Sequence, residues 1–330
     1  MNEFLFISKL KNPWTNVYGL ARSILAMGTA LTLLINSPAV LFYNTNTGAA
    51  VPVTRTVDVF QWNFFTCFPF SAEITRWLAI VILLVVISGW RPRYTALFHI
   101  WVSLSLIQAS PFIDGGDQIT SVIAILLLPV CLTDSRKWHW KNLDVSSKRL
   151  ANNPYVVLMC LSVYLVIRVQ VAVIYLNAAT AKLGVNEWQD GTAVWYWFKD
   201  YDFGYNFYVA KIMDPILKTP LLVTSITWFS IFFEFFLFLG LFVEQKYRKW
   251  FFISGVFFHF LIIIINGLFS FFFAMFGALI LYMRPIDEIF CFASVKAFLV
   301  SLVNKKEAKI KPVFKIIDEG SKIPATGGPG

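Results

Sequence analysis

The sequence predicts an all-α fold, a polytopic integral membrane helical bundle of about eight transmembrane helices with both termini cytoplasmic. Composition is the first reason: of 330 residues, 58% are hydrophobic, 18% aromatic and only 14% charged, against about 45–50% apolar and about 25% charged in soluble domains. The second is that apolar runs able to cross a hydrocarbon core about 30 Å thick recur along the chain. The third is the position of the basic residues in short clusters between those runs. That position gives the net charge of +9 a membrane-facing origin, and no recognisable module accompanies it to support nucleic-acid binding. The four cysteines form no CxxC pair, so neither a zinc site nor a disulfide framework is expected.

The first run, 17–43, follows basic residues and lacks a small-residue cleavage site, so it reads as a retained helix rather than a removed signal peptide. Runs at 74–90 and 94–110 flank Arg91 and Arg93. The run at 118–133 is followed by Arg136, Lys137, Lys141, Lys148 and Arg149, and the next is 155–180. Runs at 220–243 and 250–266 are separated by Lys246, Arg248 and Lys249, and Asn266-Gly267 offers a tight turn before the last run, 268–284. Lys9 and Lys11 precede helix 1, and Lys296, Lys305, Lys306, Lys309 and Lys311 follow helix 8. All of these clusters fall on one side, which the retention of Lys and Arg makes cytoplasmic. Left outside are 44–73, 181–219 and the turn 111-PFIDGGD-117. Two parts are therefore expected: a transmembrane domain, 1–288, and a cytoplasmic tail, 289–330. The tail opens with 289-IFCFASVKAFLVSLV-303, expected to be an interfacial helix, and ends in the Gly- and Pro-rich 320-GSKIPATGGPG-330, expected to be disordered. No internal repeat is visible, which argues against a transporter of duplicated halves.

Polar residues inside a bilayer are costly and are retained for pairing or function. Arg168 and Glu234 fall near the middles of helices 5 and 6, where they could form an ion pair that fixes packing. Tyr164, Arg168, Tyr175 and Lys182 lie 0, 4, 11 and 18 residues along helix 5, which places them on one stripe. Asn177, His259, His99 and Arg22 complete the polar inventory, and the three histidines, assigned to separate helices, give no metal-ligand spacing. Two readings of Lys182 stand side by side. Close packing at 178-AATA-181 would lower its pKa and make it a usable base; alternatively it snorkels to the interface beside Trp188. Asp114 and Asp117 either cap a turn or bring two carboxylates to the lysine, with Asp190 nearby. The aromatic 194-VWYWFKDYDFGYNFY-208 suits an interfacial segment or a groove for an apolar peptide. Cys67, in 64-FFTCFPF-70, is either a small buried residue or a thiol able to exchange with a substrate disulfide. No Ser/His/Asp arrangement, paired intramembrane aspartates or HExxH is present, so no proteolytic mechanism follows from motifs.

The segments 12-NPWTNVYGLARSILA-26, 89-GWRPRYTALFHIW-101, 114-DGGDQI-119, 128-LPVCLTDSR-136 and 174-IYLNAATAKLGVNEWQDGTAVWYWF-198 together resemble the membrane component of the bacterial sporulation-delaying protein toxin maturation system. The likeness covers about residues 10–285. It implies a multi-pass protein of the bacterial cytoplasmic membrane that helps to produce a secreted antimicrobial peptide from an exported toxin precursor, with a small co-encoded partner protein. The wider horizontally transferred transmembrane group is similar in turn to the membrane part of vitamin K-dependent γ-glutamyl carboxylase. Its motif of two lysines, a leucine and an acidic-Trp-x-x-Gly element resembles 181-AKLGVNEWQDG-191, with Lys182 at the catalytic base. Alanine stands at the first of the two lysine positions, the spacing before Trp188 differs, and no large lumenal domain is present. The residues themselves indicate no cofactor, and a quinone enters through this resemblance alone. Three functions follow as expectations. The first is a membrane-embedded maturation factor with Lys182, Asp114 and Asp117 at an outer catalytic site and Trp188, Asp190 and Cys67 as substrate contacts. The second is a quinone-linked carboxylase-like or redox enzyme. The third is a non-enzymatic peptide chaperone, export or immunity protein. Arg168, Glu234, Asn177, His259 and Tyr175 take structural or proton-pathway roles in the first, and membrane lipid surrounds the chain in all three.

Overall fold

A computed structural model describes residues 12–42, 62–111, 115–141, 153–200, 204–285 and 288–289. Eight helices of fifteen residues or more occur among them: α1 Asn16–Ile35, α2 Ala72–Ser88, α3 Pro92–Ala109, α4 Gly115–Thr133, α5 Pro154–Lys182, α6 Pro220–Leu239, α7 Gln245–Asn266 and α8 Phe269–Met283. Each falls on one of the apolar runs. Five of them, α1, α4, α5, α6 and α7, are both long and apolar enough to cross a membrane. No strand occurs among the described residues, whose one isolated bridge joins Trp90 to Trp138. The fold class is all-α and the chain is a membrane protein. Asp114, Lys9, Lys11, the tail lysines and both expected tail features lie outside the described residues, as do both termini.

Local chemistry explains the boundaries. Ser71 caps α2 by accepting from the Ile74 N–H, and Gly89 ends it at φ +80°. Pro92, Pro154 and Pro220 open α3, α5 and α6, where the missing N–H has no intrahelical partner to lose. α1 stops at Ile35, short of the expected 43, because Pro38 disfavours helix in the residue before it; a single helical turn, Pro38–Leu41, follows. The expected Asn266-Gly267 turn is present: Gly267 takes φ +75° and donates to Ile263 O at 2.8 Å.

α1 is the hub, mostly buried and packed against α2, α4 and α8. Its tight seam with α8 depends on glycine, since a Cβ at Gly277 would stand 3.0 Å from Ala21 O and 2.7 Å from Leu25 Cγ. α3 packs on α2 and α4, α5 on α4, α6 and α8, and α7 on α8. α6 and α7 expose most of their surface, including Phe229, Phe232, Phe236, Phe257 and Phe260. Such a phenylalanine-rich exterior is what a lipid solvent favours.

Candidate functional site

α5 runs for 29 residues and stops at Lys182. Beyond it the chain continues in short turns, Asn186–Gln189 and Ala193–Lys199, alongside the Pro220 end of α6: Gly191 abuts Thr224, and the Val194 N–H donates to Thr227 Oγ1 at 3.3 Å. Lys182 therefore sits at a break in the helical path. Its Nζ donates to both oxygens of Glu234, at 2.6 and 2.5 Å, and to Ala178 O at 3.3 Å, and it lies 5.1 Å from the centre of the Trp188 ring. The two charged side chains are 21% and 12% exposed. Fourteen residues separate Pro220 from Glu234, about 21 Å at a rise of ~1.5 Å per residue. The ammonium thus lies deep along α6.

Side-chain direction explains this pairing and corrects the expected one. Helical side chains lean toward the N-terminus of their own helix. α5 and α6 run in opposite directions, so Lys182 leans back toward Ala178 while Glu234 leans to meet it. Arg168 leans away from Glu234, and its Nε donates instead to Tyr282 O at the end of α8, 3.2 Å away, where terminal carbonyls attract a cation. The expected Arg168–Glu234 ion pair is therefore replaced by Lys182–Glu234. Lys182 also turns inward along α5 rather than snorkelling away from it.

The stripe on α5 is real, but each member is bonded to a different neighbour. Tyr164 OH donates to Pro13 O at 2.8 Å, and Tyr175 OH meets His259 Nε2 at 3.0 Å. Asn177 faces outward from the same helix. Asp117 is buried at the start of α4, accepting from Thr29 Oγ1 at 3.0 Å and Thr32 Oγ1 at 2.9 Å; its bonds tie α4 to α1. Asp190 is exposed beside the half-buried Trp188. Cys67 is exposed rather than buried, and partial desolvation raises its thiol pKa above the ordinary value, which disfavours the thiolate that exchange requires. No group of three or more metal-ligating residues occurs among the described residues.

A second polar cluster, at the end of the bundle where α1 begins and α4 ends, was not foreseen. Asp134 and Arg136 form an ion pair at 2.8 Å with side chains 0% and 1% exposed. Tyr18 OH donates to Asp134, while Arg136 also donates to Lys141 O at 2.9 Å. Trp14 Nε1 donates to Val130 O at 3.3 Å. His139 lies in the loop after α4, not on a helix, and its Nε2 meets Ser23 Oγ at 3.2 Å. Burial, then Arg22 and Arg136, lower its pKa well below the ordinary value, so it is neutral. The loop closes on Arg91, at φ +40°, whose N–H donates to Lys137 O at 2.8 Å. The signal was present in 128-LPVCLTDSR-136, where an acid and a base stand two apart directly after an apolar run.

The chain is 38% identical over 300 residues to the uncharacterized protein YitO of Bacillus subtilis strain 168, covering 90% of this chain and 94% of that protein. It is 37% identical over 278 residues to the sporulation-delaying protein SdpB of the same strain, covering 84% of each. The chain belongs to the SdpB family. The resemblance to the sporulation-delaying system is thereby borne out, whereas the wider carboxylase-like resemblance rests on motif likeness alone. No family model and no solved structure matches. Within this SdpB-family chain, all five stretches that carried the resemblance contribute to the two polar clusters, to the loop that closes the second of them or to the buried Asp117.

Proposed function

We propose that this SdpB-family chain is a membrane-embedded factor in the maturation of an exported peptide toxin, acting with a small partner protein at the outer face of the bacterial cytoplasmic membrane. The observation that carries the reading is the 37% identity, over 84% of both chains, to a protein named for sporulation delay. The substrate site is the helix break at Lys182. There an ammonium and a carboxylate lie side by side under an indole ring, offering a donor and an acceptor to a peptide unit and an apolar face to its side chain. While the salt bridge holds, Lys182 has no lone pair to act as a base. It must therefore lose a proton, to the adjacent Glu234 carboxylate or to substrate, before it can accept one.

The test is mass spectrometry of peptide secreted by cells carrying precursor, partner and either the wild-type chain, Lys182→Ala or Glu234→Gln, with membrane abundance checked by immunoblot. Mature peptide is expected to fall about tenfold or more in both variants at unchanged abundance, the loss of charge-assisted hydrogen bonds worth about 1.5–3 kcal/mol. Normal mature peptide from both would reduce the pair to a packing contact. Normal mature peptide without the chain at all would sink the function.

A further inference from the structure

Arg168 of α5 and Arg248 of α7 are half-buried and lie close enough to repel each other, and both act on the hydroxyl of Tyr282, near the end of α8. Among the described residues each guanidinium is held through Nε alone: Arg168 donates to Tyr282 O at 3.2 Å and Arg248 to Val243 O at 3.0 Å. The Tyr282 hydroxyl in turn donates to Leu237 O and Phe238 O at the end of α6, at 3.0 and 2.9 Å. Four helices therefore meet at one junction that holds two guanidinium groups. The neighbouring acids answer other cations. Glu244, four residues before Arg248, pairs with Lys246 at 2.7 Å, Glu288 pairs with Arg284 at 3.1 Å, and Glu234 is held by Lys182.

Helix ends compensate this charge only in part. The last carbonyls of α6 and α8 each offer about half an elementary charge, and the start of α7, with no acidic residue in its first turn, returns about as much of the opposite sign. A guanidinium cannot relieve the remainder by losing its proton. Position supplies the missing partner. Tyr164, one turn before Arg168, reaches Pro13 ahead of α1, so the junction lies toward the basic end of the bundle. Helical side chains lean toward the start of their own helix, and α5 and α7 both start at this end, which carries both guanidinium groups toward the membrane border. Phe242, Tyr247 and Trp250 are exposed beside them, as aromatic residues are at a bilayer interface. We propose that this junction binds the headgroup of an anionic phospholipid, whose phosphate oxygens accept from the Nη groups of Arg168 and Arg248 while its acyl chains lie along Phe242 and Trp250. Guanidinium forks match a phosphate bidentately, and basic recesses between helix ends hold anionic headgroups in this way. The bound lipid cancels the repulsion between α5 and α7.

The test is native mass spectrometry of the full chain in detergent, offered phosphatidylglycerol and phosphatidylcholine of matched acyl chains in equal amounts. Retention of phosphatidylglycerol is expected to exceed that of phosphatidylcholine by about tenfold, the effect of charge-assisted hydrogen bonds to the anionic headgroup. Arg168→Gln and Arg248→Gln are each expected to bring the two lipids close to equality, whereas Lys218→Gln, exposed near the start of α6 at the other end of the bundle, keeps the preference. Should Arg168→Gln fail to accumulate folded, Arg248→Gln decides, since its side chain is held by one loop carbonyl. Equal retention of the two lipids by the wild type would overturn the proposal, as would a preference undiminished in Arg248→Gln. Displacement of phosphatidylglycerol by inorganic phosphate at the same concentration would assign the site to a soluble anion and overturn the lipid as its occupant.

Discussion

At the residue scale, the two buried ion pairs differ in what removing one partner leaves behind. Asp134 and Arg136 are almost wholly enclosed, so Asp134→Ala strands a guanidinium with two further bonds to carbonyls and no counter-charge. The expected cost is about 3–5 kcal/mol, seen as a large drop in Tm and in folded yield from membranes. Replacing both partners with apolar residues of similar volume should recover much of that loss; a double variant as unstable as Asp134→Ala would show that the individual hydrogen bonds matter more than the charge balance. Lys182–Glu234 keeps some exposure on both sides, so Glu234→Gln should leave the fold intact while lowering peptide maturation about tenfold or more. The position of Lys182 on the stripe of Tyr164, Arg168 and Tyr175 was legible from spacing alone. Its partner was not, because pairing across helices depends on the direction in which each side chain leans and on the axial offset between them. Arg168 and Glu234 share an approximate depth in the sequence, yet lean apart.

At the element scale, the apolar runs anticipated the eight long helices among the described residues to within a few residues at every end but that of α1, which stops at Ile35 ahead of Pro38, because length, capping and proline placement are local. Seams are not. Gly277 looks like any glycine in an apolar run, but on α8 it faces the Ala21 carbonyl of α1. Gly277→Val should destabilise by about 1–3 kcal/mol through overpacking, measured as lower Tm; an unchanged Tm would mean that the α1–α8 seam can part without loss. The segment after α5 carries a different device. Lys199 Nζ donates to Tyr205 OH at 2.7 Å and to Asp214 Oδ1 at 3.1 Å, and Tyr205 OH donates to the same oxygen at 2.5 Å, clipping Ala193–Lys199 to Ala210–Leu217. The Tyr205 hydrogen bond, then Lys199, lowers the Asp214 pKa, and Tyr205, then Asp214, raises that of Lys199. A lowered acid contributes above its ordinary pKa and is lost as pH falls through the lowered value. A raised lysine contributes below its ordinary pKa and is lost as pH climbs through the raised one. The clip is therefore closed across the neutral range and opens first in acid, below the usual carboxylate range. Fluorescence of the adjacent Trp195 and Trp197 should change there in the wild type, and that step should vanish in Asp214→Asn.

At the scale of the whole molecule, the arrangement of the two ends bears on orientation. Contacts gather the start of α1, the α2–α3 junction and the loop after α4 at one end: Trp14 reaches Val130, Arg136 reaches Thr15 O at 3.5 Å, and the His139 N–H donates to Gly89 O at 3.0 Å. The basic residues Arg91, Arg93, Arg136, Lys137 and Lys141 therefore share one face of the bundle, as their spacing in the sequence predicts. Cys67 belongs to the opposite end. Its segment is tied to the far part of α3 by Asn63 Nδ2 donating to Ser105 O at 2.9 Å, and to the chain beyond α1 by the Phe42–Phe65 ring pair, 4.9 Å between centroids. If basic residues are retained inside, the Cys67 end faces out. In a chain whose other cysteines are replaced, Cys67 should react with a membrane-impermeant maleimide on intact cells, slowly because its thiol pKa is raised. Lys137→Cys, at an exposed position, should react only after permeabilisation. The reverse pattern would invert the molecule in the membrane. It would turn the segment that follows the Lys182 break toward the cytoplasm, where an exported precursor no longer is, and the proposed site would lose access to its substrate.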